Sequence, residues 1–129
     1  MLRSGAQRLH AWLAWLFVVA VLVQVFLAGL AIFGATSGFG LHIEFGYTVV
    51  GLLTLGVLLT AVAAGLPPRE IGLSLLLLVL YVVQTALPSA RDAAPVLAAL
   101  HPVNAVAMLA LGSVIARRGS VARGLEGSA

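Results

Sequence analysis

Cysteine and lysine are both missing from the 129 residues, and only four acidic side chains occur. Without cysteine there is no disulfide, no thiolate metal site, no iron–sulfur cluster and no covalent c-type heme attachment. Charge of either sign is scarce: 9% of residues are charged, where a soluble domain carries about a quarter. That leaves too little polar surface to coat a soluble globule, so lipid is the expected solvent. No Ser–His–Asp set, paired carboxylates, phosphate-binding loop or His-rich cluster stands in the sequence. The chain therefore reads less as an enzyme than as a binding or structural protein.

What is present is apolar. Hydrophobic residues make up 62% of the chain and the mean hydropathy is +1.16. A helical span of a bilayer needs about 20 apolar residues, and four such segments can be drawn, over residues 10–33, 41–66, 69–87 and 95–117. Pro67 and Pro68 end the second and Pro88 stops the third, because proline lacks an amide hydrogen and clashes with the preceding turn. Pro95 suits the first turn of the fourth. The expected fold class is all-α, an integral membrane four-helix bundle. The connections, residues 34–40, 67–69 and 89–94, are short enough to force an up-down-up-down order. Residues 1–118 then form one transmembrane domain, and 119–129, rich in Gly, Ser and Ala, a flexible cytoplasmic tail. The first apolar stretch, about 23 residues, is too long for the core of a cleaved signal peptide.

The net charge of +3 does not point to nucleic acid, since the arginines sit at segment ends and form no stripe. They read as topology signals. Arg3, Arg8, Arg69, Arg117, Arg118 and Arg123 fall on one side and Arg91 alone on the other. The positive-inside rule then puts both termini in the cytoplasm, in a multi-pass protein of the cell (inner) membrane. Trp12 and Trp15 would anchor at the inner interface, and His10 beside them reads as interfacial too.

Polar side chains within a span are costly and mark function or helix contacts. Gln24, His42, Gln84 and His101 stand out, one per segment. Counted from the inner segment ends, Gln24, Gln84 and His101 lie roughly 21–24 Å up and His42 roughly 33–36 Å. The arrangement repeats. Gln24 precedes Leu41-His42 by 18 residues to the histidine, with Gly46 one turn on; Gln84 precedes Leu100-His101 by 17, with Ala105 one turn on. This is a weak internal two-helix repeat of the kind parallel-repeat membrane folds carry.

A neutral imidazole is a common axial ligand of heme iron, and histidines on two facing helices can clamp the iron from both sides. Small residues beside each histidine, Gly46 and Ala105 among them, would leave room for the macrocycle. The plainer reading is that Gly and Ala let helices approach while Gln and His hydrogen-bond across them. Gln24 and Gln84 would then hold a histidine or a ring substituent. Arg91 is the one outer cation able to meet a heme propionate, or it simply pairs with Asp92 in solvent.

The stretch Gln24-Val-Phe-Leu-Ala-Gly-Leu-Ala-Ile-Phe with Leu41-His42-Ile-Glu-Phe-Gly46 resembles the first helix pair of one half of the heme A synthase family. Gln84 with Ala99-Leu100-His101-Pro-Val-Asn-Ala105 resembles the second pair. The same pattern occurs in small four-helix membrane proteins that stand alone. The resemblance implies a bis-histidine heme b site between His42 and His101. The chain has only one half of the synthase, and Glu44 follows His42 where that family has a glutamate before its histidine. These departures speak against heme-modifying chemistry and leave heme binding open.

Three functions follow. The first is a small b-type cytochrome-like protein for electron transfer or heme handling, with a redox partner or larger complex. The second is a cofactor-free accessory subunit of a membrane complex. The third is a small multidrug-type transporter using Glu44. A homo-oligomer fits any of them.

Overall fold

The computed structural model describes residues 2–126, with side chains from Arg3 to Ser120. Every regular element among the described residues is helical. The chain forms α1 (Leu2–Ile32), then a second helix assembled from α2 (Gly40–Phe45), a π-helical turn (Gly46–Val50) and α3 (Gly51–Ala63). It continues through α4 (Pro68–Ala86), a 3₁₀ turn (Leu87–Ala90), α5 (Pro95–Ala98) and α6 (Leu100–Glu126). Four stretches, Arg3–Ile32, Gly40–Ala63, Pro68–Ala90 and Pro95–Ser120, are helices long and apolar enough to cross a membrane.

The helix ends follow from local chemistry. α1 closes on Gly34 at φ +75° and α3 on Gly65 at φ +60°, left-handed positions that glycine occupies without strain. At each, two amides return to the last-turn carbonyls: Ala35 to Leu30 and Gly34 to Ala31, Leu66 to Ala61 and Gly65 to Val62. Pro67 and Pro68 then start α4, where the missing amide hydrogen costs nothing. The break at Ala99 between α5 and α6 has its cause in Pro102, which cannot donate to the Ala98 carbonyl one turn back.

Two boundaries differ from the sequence expectation. α1 begins at Leu2 instead of near residue 10, and α6 runs to Glu126, past Arg117 and Arg118 and through most of the stretch read as a flexible tail. Extending an existing helix costs little, and Ala122, Arg123, Leu125 and Glu126 are good helix formers. Residues 127–129 lie outside the described residues. The depth comparison changes with the ends. Counted from Leu2, Gln24 stands about 33 Å along its helix, level with His42.

α1 and α4 each pack on both α3 and α6. The core contains Phe17, Val57, Leu77, Met108 and Ile115. His10, Thr54 and Ser74 are fully buried among them, while Leu52, Phe26 and Trp12 face outward, each more than 60% exposed. Large apolar side chains facing outward as well as inward suit a chain whose surroundings are lipid. The buried hydroxyls of Thr54 and Ser74 donate to the carbonyls of Val50 and Glu70 one turn back, so no polar atom of theirs is wasted.

The π turn widens the second helix where Tyr81 of α4 meets it. The Tyr81 hydroxyl lies 3.4 Å from the Gly46 carbonyl and 3.3 Å from that of Tyr47, to which it donates. Gly51 makes room, since a Cβ there would stand 2.5 Å from the Tyr81 oxygen. Gly51→Ala is expected to lower the melting temperature in detergent, at about 1–3 kcal/mol of over-packing. Tyr81→Phe in the same chain removes the nearest clashing atom and leaves the ring carbon at 3.0 Å, so it is expected to restore part of the loss.

Candidate functional site

His42 is the third residue of α2 and His101 the second of α6. Helix starts leave backbone groups unpaired and side chains free to turn toward a neighbour. Each histidine turns to the helix before it in sequence. His42 Nδ1 donates to the Gln24 carbonyl at 3.0 Å, and His101 Nδ1 to the Gln84 carbonyl at 3.0 Å. A carbonyl only accepts, so in the neutral rings the proton sits on Nδ1 and Nε2 keeps its lone pair. The repeat read in the sequence thus places two equal clasps.

The two rings meet edge to face, with centres 6.1 Å apart and planes inclined by 63°. Two imidazoles that share one ion from opposite sides, each at about 2 Å, have ring centres roughly 6 Å apart. Both histidines are half-buried. Phe39, at the start of α2, packs edge-on against His42 at 6.0 Å and fixes its ring further. The spacing and the fixed tautomers are those a bis-imidazole ligand set needs; His42 Nε2 keeps its lone pair, while a side-chain amide stands at that of His101. Among the described residues no three His, Asp or Glu side chains come together as a metal cluster.

The other sequence-derived residues divide. Gln24 and Gln84 are at the site, each through its backbone carbonyl. The Gln84 side-chain amide also stands 3.2 Å from His101 Nε2. Gly46 does not leave an open face below His42. The Gln24 amide fills that space, with Nε2 2.6 Å from where a Cβ would be. Ala105 is half-buried, one turn beyond His101. Arg91 is in a loose pair with Asp92 at 3.5 Å, both side chains more than three-quarters exposed. Glu44 is exposed and lines an open cavity of about 520 Å³ with Thr36, Ser37, Gly38, Gly40 and Leu41.

Asn104 escaped the sequence reading, and the burial of His10 was not expected from it. Asn104 donates from Nδ2 to the Gln84 side-chain carbonyl at 2.8 Å and to the Leu80 backbone at 2.9 Å. Its place one turn after His101 was the available signal. His10 is 2% exposed, buried within the bundle. It donates to the Val57 carbonyl at 2.9 Å, with the Thr60 hydroxyl 3.3 Å away, because α1 continues past it and carries it into the bundle. Nearby, Arg118 makes contacts of 2.7 and 2.9 Å to Glu70 Oε1, tying α6 to the start of α4.

Neither the search of curated proteins nor that of solved structures finds a match to the chain. Among protein families, the match runs over residues 24–91, from Gln24 through His42 and Gln84 to Arg91, with His101 just beyond it. Spanning more than half of the residues, it shows that the chain belongs to DUF6220, a family of unknown function.

Proposed function

We propose that this protein holds heme b between His42 and His101, within an up-down-up-down bundle of the cell membrane whose ends are both cytoplasmic. The observation that carries the reading is the juxtaposed pair of rings, centres 6.1 Å apart, each with Nδ1 bound to a carbonyl. Contacts from His10 to Val57 and from Gln24 to His42 support the antiparallel order of the first two helices. The six-to-one arginine distribution supports the orientation. The resemblance to one half of heme A synthase adds to the reading of the site.

A bound heme would supply a one-electron couple whose potential the axial ligands and burial set. The chain's own part is to orient and neutralise. The carbonyls of Gln24 and Gln84 fix the tautomer and make each Nε2 a better donor of its lone pair. Arg91 is available to a propionate, because an exposed pair such as Arg91–Asp92 is worth little and is readily exchanged. The role that follows is electron transfer or heme handling near the outer face.

The deciding measurement is a reduced-minus-oxidised absorbance spectrum of the protein purified in detergent from heme-supplied cells. A Soret band with a sharp band in the visible region is expected. A colourless preparation refutes the reading.

A cofactor-free accessory subunit is the second reading. It is favoured by one observation: both ring nitrogens of His101 already find partners on Gln84. Normal folding and assembly with both histidines replaced by phenylalanine would support it.

A further inference from the structure

His42 and His101 are held alike by the backbone but differently by side chains. Around His101 every hydrogen has a fixed place. Nδ1 donates to the Gln84 backbone, so Nε2 must accept, and the Gln84 amide Nε2 donates to it at 3.2 Å. That orientation of the Gln84 amide is enforced by Asn104, whose Nδ2 donates to Gln84 Oε1 at 2.8 Å. Asn104 is itself anchored on the Leu80 carbonyl at 2.9 Å. Turning either amide over would set donor against donor or acceptor against acceptor.

The first half lacks this chain of bonds. Phe45 stands three residues after His42, where Asn104 stands after His101, and a phenyl ring has nothing to donate. Gln24 Oε1, the counterpart of the atom that Asn104 holds, is buried without a partner. Among the described residues the His42 ring is hydrogen-bonded through Nδ1.

We infer that Asn104 is a positioning residue that aims Gln84 as a displaceable cap on His101 Nε2. His42 is then the open ligand, and His101 engages only after the cap swings aside. The inference rests on the heme reading above for its functional meaning. The cap itself is a property of the ligand-free chain.

Two measurements test it. In the ¹⁵N NMR spectrum of the heme-free protein in detergent, His101 Nε2 should show the shift of a hydrogen-bond acceptor. Asn104→Leu and Gln84→Leu should both move it toward the free value, while the Nδ1–H signal stays. Gln84→Leu leaves the Asn104–Leu80 bond intact and serves if Asn104→Leu does not fold. In stopped-flow mixing with hemin, the slower absorbance phase should accelerate in both variants and the faster one should not change. Loss of one net hydrogen bond corresponds to roughly three- to tenfold. An unmoved Nε2 shift overturns the cap. A moved shift with an unchanged slower phase overturns the gating. If wild-type protein takes up no hemin, the heme reading and the gating fall together, and the NMR result still decides the cap.

Discussion

His42→Ala and His101→Ala proteins are each expected to leave detergent purification with most of their heme lost, the wild type keeping it. Partners one bond removed from a metal ligand already cost 10–100-fold in affinity when replaced, so a ligand itself should cost roughly 100-fold or more. The loss should not come from unfolding. Each imidazole donates to a helix carbonyl, which has a second lone pair engaged or exposed; His101 also accepts from the Gln84 amide, and each lost net bond is worth about 1 kcal/mol. Tryptophan fluorescence melts, which read Trp12 and Trp15 in α1, should therefore shift by a few degrees at most. The readout is the Soret absorbance per protein after gel filtration. Equal heme content in both variants and wild type would remove the histidines from the site.

Gly112→Leu is the second large effect, and it acts on the fold. A Cβ at Gly112 would lie 2.7 and 2.8 Å from two carbons of the Phe17 ring. Phe17 is fully buried in the core it shares with Leu77, Met108 and Ile115, so the ring has nowhere to retreat. Over-packing of this kind costs about 1–3 kcal/mol, and a leucine at a position with no spare space belongs at the upper end. Phe17→Ala in the same chain should recover part of it, since the two sites share one volume. Gly29→Ala is the contrast, with nothing within 4 Å of the added carbon, and should melt with the wild type. A Gly112→Leu protein as stable as that control would mean that α1 and α6 do not pack as described.

The spans were legible because lipid permits so few structures. An apolar run of about 20 residues has to be helix, and prolines 67, 68, 88 and 95 mark its limits well. The ends were legible only where a residue forbids continuation. Arginine does not, so α1 and α6 run on past Arg8 and Arg118, and the depths counted from those points fail with them. The histidine pair was legible through its repeated spacing to Gln24 and Gln84, which the two Nδ1 bonds now explain. Burial of His10 was not, because proximity to Trp12 in sequence says nothing about which side of a helix faces α3. Nor was the filling of the Gly46 gap by the Gln24 amide, a tertiary fact with no local signature.

The π turn in the second helix carries a geometric consequence. Val50, Thr54, Val57 and Ala61 form the buried stripe of its C-terminal part. On an uninterrupted α-helix, His42 would stand about 80° around the axis from that stripe, eight residues above Val50. One inserted residue absorbs about 100° of rotation and brings His42 within about 20° of it. The second helix thus runs on two angular phases, joined at Gly46–Val50 where Tyr81 clips the seam. The N-terminal phase aims the histidine and the C-terminal phase aims the core, so either can be retuned without turning the other.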